Sequence, residues 1–338
     1  MNKFSSQILS AAVISVLVFG ELSSVNAQLN AVRISYSAPT GLSTPAWMAN
    51  DLGLFEKYGL NGSIIYIGGG TLPMAVMLAG DTDFTMVVGP PAVLARLNGA
   101  NSIILATLVN RLTMSFVSQP SIRQPNDLRG MRIGITRFGA ATDYAARLAL
   151  KTWGLTSKDV EIIQTGGVGE ALAALKAGSI QATVFSPPFS TEAVRAGMTE
   201  LLDFSKSDIQ FVNNSLVTTN KLVQQRPDVI RNVMKALIEG IWAFKKDREV
   251  GIKVLKKYTR IQDPSSLGET YDFYSRVLLD VPKITESGLN NILQALSETQ
   301  SKARTARPKD FFTPIFMDEL EKEGFFKRLA SRYRNLDR

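Results

Sequence analysis

The chain has 338 residues, 45% of them hydrophobic, a formal net charge of +8, and neither histidine nor cysteine. Those two absences exclude Ser-His-Asp and Cys-His nucleophilic sites, zinc and iron sites built on His or Cys, and disulfides. Seven of the eight net positive charges fall in residues 211–338, so the near-neutral remainder offers no basic field, and no basic-aromatic stripe points to nucleic acid.

Residues 1–27 read as an export signal. Lys3 gives a weak positive start, an apolar stretch runs from Ile8 to Phe19, and Val25-Asn26-Ala27 is a small-x-small site, so cleavage after Ala27 is expected. The stretch is too short for an ordinary membrane span. With no cysteine for a lipid anchor, the periplasm is the expected location.

Arg33–Ser37 reads as a strand, and Thr44-Pro45 opens a helix to about Tyr58, since Pro suits a first helical position. Strand Ser63–Ile67, helix Leu72–Leu78, strand Phe84–Val88, helix Pro91–Asn98 and strand Ser102–Thr107 follow. Such alternation predicts βαβ units around a largely parallel sheet. Met114–Ser118 reads as a crossover. A second unit then runs through strand Arg132–Ile135, helix Ala141–Trp153, strand Val160–Gln164, helix Glu170–Ala177, strand Ala182–Phe185, helix Phe189–Arg195 and strand Glu200–Asp203. Asp208–Thr219 reads as the return crossover. Beyond Arg226 the pattern is helical, with Ile230, Val233, Leu237, Ile241 and Phe244 on one face. Further helices are predicted over 248–258, 264–277 and 287–302, and an amphipathic one over Phe316–Arg332.

The two units echo each other. Residues 69–91, GGTLPMAVMLAGDTDFTMVVGPP, and 166–188, GGVGEALAALKAGSIQATVFSPP, both run Gly-Gly, apolar helix, Ala-Gly, apolar strand, Pro-Pro. Val32-Arg33-Ile34 and Gly59-Leu60 recur as Met131-Arg132-Ile133 and Gly154-Leu155. Two occurrences at this spacing predict two like lobes rather than a solenoid. The boundaries read as 28–114 plus 216–338 for lobe one and 115–215 for lobe two, with a cleft between them.

Catalytic signals are sparse. Asp81 and Asp83 flank a turn, and Asp318, Glu319, Glu321 and Glu323 sit among lysines on a terminal helix, so both groups read as solvated faces. No phosphate-binding GxxxxGK[ST] occurs, and Gly68-Gly69-Gly70 lacks the third glycine of a dinucleotide loop. No metal ligands, cofactor or catalytic residues are expected.

In doubly wound sheets ligands sit off the carboxyl ends of strands, where helix N-termini favour anions. The loops expected there supply Ser43, Thr44 and Trp47; Gly69, Gly70 and Thr71; Gly89 and Pro90; Arg137, Phe138, Gly139, Thr142 and Asp143; and Ser186 and Pro187. Arg137 is the candidate partner for an acidic group, with the hydroxyls orienting it and Trp47 and Phe138 excluding water. Thr142 or Asp143 as a helix cap, Arg137 in solvent, and the two rings as packing remain open alternatives.

The segments VRISYSAPTGLSTPAWMANDLGLFEKYGL, GGGTLPMAVMLAGDTDFTMV and DLRGMRIGITRFGAATDYAARLALKTWGL resemble solute-binding proteins of ABC transporters in the nitrate/sulfonate/taurine group, together with the THI5/NMT1-like pyrimidine relatives. The resemblance covers about residues 31–330. It implies a type-two periplasmic binding fold that is α/β, monomeric and non-enzymatic, closing on a small anionic or zwitterionic solute and docking on a membrane permease. The alternatives it implies are a thiamine-pyrimidine binder and a ligand sensor. The yeast-type pyrimidine synthases of that group use a histidine as reactant, and this chain has none.

Overall fold

The computed structural model describes residues 29–334, so the predicted export signal lies outside the described residues. The chain begins with β1 (Asn30–Tyr36), α1 (Thr44–Asp51), α2 (Leu54–Lys57), β2 (Leu60–Tyr66), α3 (Thr71–Ala79), β3 (Phe84–Val87), α4 (Gly89–Leu97) and β4 (Ser102–Arg111). It continues through β5 (Ser115–Ser118), β6 (Arg132–Ile135), α5 (Ala141–Thr152), β7 (Glu161–Gln164), α6 (Val168–Lys176), β8 (Ala182–Phe185), α7 (Phe189–Arg195) and β9 (Thr199–Asp203). After β10 (Gln210–Thr219) come α8 (Asn220–Gln225), α9 (Pro227–Lys246), α10 (Arg248–Thr259), α11 (Pro264–Val277), α12 (Glu286–Leu296), α13 (Ile315–Lys322) and α14 (Phe325–Arg334).

Two five-stranded sheets result, ordered β2-β1-β3-β10-β4 and β7-β6-β8-β5-β9. The orders correspond strand for strand, which is the structural form of the sequence echo. In each, the first three strands are parallel: Ile34 sits between Ile64 and Phe84, and Ile133 between Ile162 and Ala182. The expectation of largely parallel sheets is corrected at the other two strands. β5 runs antiparallel to β8 and β9, and β10 antiparallel to β3 and β4. Both expected crossovers are therefore strands, each entering the other lobe's sheet. An extended apolar segment looks the same in sequence whether it bridges or pairs, because pairing is a non-local choice. β10 joins the first sheet from Gln210, so the chain has returned before residue 215.

Two predicted single helices are each broken by a glycine in the left-handed region. Gly53, at φ 63°, separates α1 from α2, and Gly324, at φ 74°, separates α13 from α14. The α9 stripe is as predicted: Ile230, Val233, Leu237, Ile241 and Phe244 are buried against the first sheet with Ile34, Trp47 and Leu105. Each such side chain contributes roughly 1.5–3 kcal/mol over exposure. A second apolar cluster passes through the hinge, where Leu112 and Met114 join Val87 and Val212 to Phe116 and Ile133.

Helix α9 also carries the one buried carboxylate of its stripe. Glu239 accepts from Lys57 Nζ at 2.5 Å, Tyr58 Oη at 2.6 Å, Tyr333 Oη at 2.7 Å and Arg332 Nη1 at 2.9 Å. Burial disfavours its charge, but the bonds from Lys57, Tyr58, Tyr333 and Arg332 outweigh that and hold its carboxyl at about 2. The cluster ties α14 to α2 and α9 behind the first sheet.

Candidate functional site

The carboxyl ends of β1, β2 and β3 meet those of β6, β7 and β8 around a cavity of about 50 Å³. Lobe one contributes Ser37, Thr40, Leu42, Ser43, Gly69, Gly70, Val88 and Pro91 to its wall. Thr136, Ala140, Ala141, Thr142, Val168, Val184 and Ser186 come from lobe two, with Met114 and Asn214 at the hinge. The described lining holds no charged and no aromatic side chain.

Its electrostatics come from the backbone. Helices α3, α5 and α6 begin at the wall, and their N-cap residues are Gly70, Ala140 and Gly167, none of which supplies a side-chain cap. An uncapped first turn leaves N–H groups and the positive end of the helix dipole toward the cavity. Sequence explains the choice, since glycine and alanine have no oxygen to offer.

The hydroxyls divide into engaged and unengaged. Ser43 Oγ donates to Ala38 O at 2.7 Å, and Thr142 Oγ1 accepts from Thr136 N and pairs with Thr136 Oγ1, both at 2.9 Å. Thr40 Oγ1 and Ser186 Oγ are buried and complete no hydrogen bond of good geometry. Both stand near the Tyr274 hydroxyl, whose well-formed bond goes instead to Pro187 O at 3.3 Å. Burial raises the Tyr274 pKa, with the neighbouring hydroxyls of Ser186, Thr113 and Thr40 opposing. Tyr274 stays protonated and neutral behind the cavity.

The lobes touch at the cleft mouth. Arg137 Nε donates to Gly68 O at 3.3 Å, and a Cβ on Gly68 would stand 3.3 Å from Gly166 O, so the two Gly-Gly loops face each other. Gly139, at φ 74°, lies where a Cβ would come within 3.2 Å of Leu94 Cδ2 and 3.5 Å of Thr71 Cγ2. On the far side of the hinge, α7 meets α11: Arg195 pairs with Asp263 at 3.0 Å and Glu269 at 2.7 Å, while Ser266 Oγ donates to Glu192 at 2.6 Å.

Of the predicted site residues, Ser43, Gly69, Gly70, Thr142 and Ser186 lie in the wall. The others stand elsewhere, each for a physical reason. Trp47 is 0% exposed and stacks on Tyr258 at 4.8 Å between ring centres, so it is core. Thr44 is spent on Gly41 O at 2.7 Å. Phe138 is 50% exposed and is not among the wall residues. Asp143 accepts from Gly139 N at 2.9 Å and Arg147 Nε at 2.7 Å, fixing the turn rather than facing the cavity. Gly89 and Pro90 form the first turn of α4, and a Cβ on Gly89 would come within 2.5 Å of Ile292 and 2.8 Å of Val212 O. Thr71, Arg137 and Gly139 belong to the lobe-lobe contact, and Pro187 faces a second cavity behind the hinge. Arg137 lies beside Gly69 of the wall, with its Nε donating to Gly68 O.

Sequence reasoning missed Ser37, Val88, Met114 and Asn214, and it chose the loops holding Thr40 and Thr136 without singling those residues out. Part of the signal was present. Ser37 and Thr136 each directly follow the first strand of their repeat, as Val88 and Ser186 follow the third. Asn214 had none, being placed in a mid-strand left-handed conformation at φ 51° with its amide nitrogen bonded to Leu42 O.

The family model described as NMT1/THI5 like matches residues 42–249, more than half of the chain and all the wall but Ser37, Ala38 and Thr40. The chain belongs to the NMT1/THI5-like family. A Brucella abortus protein, named as a candidate binding protein, is 24% identical over 292 residues, covering 83% of this chain and 89% of its own. Among solved structures, the nitrate-binding protein NrtA of Synechocystis matches with a TM-score of 0.73 at 12% identity, covering 88% of this chain and 89% of that one. The alkanesulfonate-binding protein SsuA of Xanthomonas axonopodis, bound to MOPS, matches at 0.70 and 16% identity, covering 83% and 96%. This NMT1/THI5-like chain thus has the periplasmic binding protein fold. A desulfurization enzyme shares that fold at a TM-score of 0.62, so fold alone separates binder from catalyst in neither direction.

Proposed function

We propose that this chain is the periplasmic solute-binding component of an ABC importer, whose lobes close on a small anionic or zwitterionic organic solute. One observation carries the reading: helix N-termini without side-chain caps, from both lobes, meet at one cavity whose wall includes the buried hydroxyls of Thr40 and Ser186. Such a site stabilises an oxyanion or carbonyl group without covalent chemistry. Family membership supports the reading, and among the described residues no helix is long and apolar enough to cross a membrane. The pyrimidine-binding alternative asks for aromatic stacking, and the described wall holds no aromatic side chain.

A thermal-shift screen of small acids, amino acids, nitrate and pyrimidines tests this. A solute at a hundred times its Kd adds about 2.7 kcal/mol to stability, which reads as a clear rise in Tm. Incubation followed by chromatography must return that solute unchanged. A solute consumed by the protein would replace the binding reading with an enzymatic one.

A further inference from the structure

We infer that the second cavity, which Pro187 faces behind the hinge, is a binding site for a linear aliphatic diamine, separate from the cavity at the strand ends. The inference does not rest on what that first cavity binds. The crevice measures about 470 Å³, within the roughly 300–1,000 Å³ of small-molecule pockets. Strand pairing sets its floor. β5 and β9 are antiparallel, with Ser115 opposite Asp203 and Val117 opposite Glu200. Opposite residues share a face, as do alternate residues along a strand. Ser115, Asp203 and Glu200 therefore stand on the face where Val117 packs with Phe189 and Ala193 of α7. Helical spacing sets the walls. Ser190 and Val194 are one turn apart on α7 of lobe two, as Glu269 and Phe273 are on α11 of lobe one, and all four line the crevice.

The lining selects a cation with donors at both ends. Among the described residues it sets three carboxylates, Glu200, Asp203 and Glu269, against one guanidinium, Arg195. Arg195 is engaged by Asp263 at 3.0 Å and Glu269 at 2.7 Å. Lys206 approaches Asp203 at 3.3 Å and Glu200 at 3.9 Å from a side chain that is 76% exposed, and such exposed pairs are weak. Two hydroxyls point to a ligand independently of the charges. Ser115 and Ser190 are 6% and 4% exposed and line the crevice, yet among the described residues neither hydroxyl has a hydrogen-bond partner. Buried polar groups are ordinarily bonded, and a serine oxygen can accept from an ammonium. The carboxylates do not converge on a point: among the described residues no three are grouped to hold a metal ion. Glu200 and Asp203 stand on the floor in lobe two and Glu269 on the wall from lobe one, which suits two charges joined by methylenes. Pro187, Val194 and Phe273 give apolar surface for that spacer. The whole chain is net positive at +8, so an amine is held here by the local field rather than by general attraction.

The test is calorimetry on the full mature chain at physiological ionic strength with 1,4-diaminobutane, n-butylamine, butane-1,4-diol and calcium. One diamine per chain is expected to bind, at least tenfold more tightly than butylamine, and the diol is expected not to bind. Glu200→Gln is expected to weaken the diamine at least tenfold and Ser190→Ala about threefold. Glu249→Gln, on the exposed side of α10, should leave it unchanged. Each variant is expected to keep the wild-type Tm without amine, so that a loss of affinity reads as a lost contact. Failure of the diamine to bind overturns the inference, as does equal binding of butylamine or calcium. Unchanged affinity in both Glu200→Gln and Ser190→Ala overturns it too, and so does a loss in Glu249→Gln that matches Glu200→Gln. All of these results leave the solute-binding reading intact, because the first cavity is tested by the separate thermal-shift screen.

Discussion

Three helices at the cleft and three of those in the C-terminal buttress begin in opposite ways, although α9, α12 and α13 of the buttress also lack a side-chain cap. At the buttress, Thr219, Asp247 and Asp263 cap α8, α10 and α11 by accepting from Leu222 N, Val250 N and Ser266 N. At the cleft, Gly70, Ala140 and Gly167 stand in the same position for α3, α5 and α6 and contribute nothing. A cap is worth about 1 kcal/mol, so three missing caps are a standing cost in the unliganded protein. Under the proposed function, withholding them keeps N–H groups free for a solute to complete. The buttress shows the contrasting use of charge: Glu239 is buried with every lone pair engaged, whereas the described cavity wall holds no charge at all.

The contrast can be broken by giving a cleft helix what α8, α10 and α11 have. Ala140→Asp supplies a carboxylate cap to α5 and places a negative charge in the wall. Affinity for an anionic ligand is expected to fall at least 100-fold, about 2.8 kcal/mol, by calorimetry. An unchanged Kd would take the α5 terminus out of the site.

Next in size is the charge cluster behind the first sheet. Glu239→Gln is expected to lower stability by about 2 kcal/mol in urea denaturation, since Lys57, Tyr58, Arg332 and Tyr333 lose a shared anion. Ligand affinity should not move. The wild type carries the matching pH signature. The Glu239 carboxyl lies at about 2 in the folded protein against an ordinary 4.5. A lowered carboxylate pKa stabilises the fold fully above about pH 4.5 and loses that contribution as pH falls toward 2. Acid unfolding between those values should be shallower in Glu239→Gln than in the wild type.

Asp247→Ala removes a buttress cap and should cost about 1 kcal/mol without changing affinity, which is the mirror image of Ala140→Asp. The smallest effect belongs to Arg137. As a latch to Gly68 O rather than a ligand cation, Arg137→Ala should weaken binding only about threefold, about 0.7 kcal/mol, and leave the preference among acids unchanged. A tenfold or larger loss confined to anions would return Arg137 to the site.

Much of the fold was legible because it rests on local pattern. β6, β8 and α7 begin and end where periodicity puts them, and the doubled Gly-Gly and Pro-Pro segments located the cleft. The antiparallel strands β5 and β10 were read as crossovers, since their partners lie far away in sequence. The site was legible at the level of loops, and less so at the level of side chains. Thr40 and Thr44 are equally good hydroxyl donors on paper. One lies in the cavity wall with its hydroxyl near that of Tyr274, and the other is turned onto Gly41 O.

The sequence by itself determined two α/β units of one design, a helical remainder, and the absence of histidine and cysteine chemistry. Those properties follow from composition and short-range periodicity, which each segment carries alone. Tertiary structure decided that Trp47 is core, that Arg137 reaches Gly68 O across the lobes, that Asn214 reaches the wall from a strand of the first sheet, and that the described wall is uncharged. Side-chain direction in a loop is fixed by what packs behind it, and here that includes α11 and β10, which lie far along the chain from the loops they position.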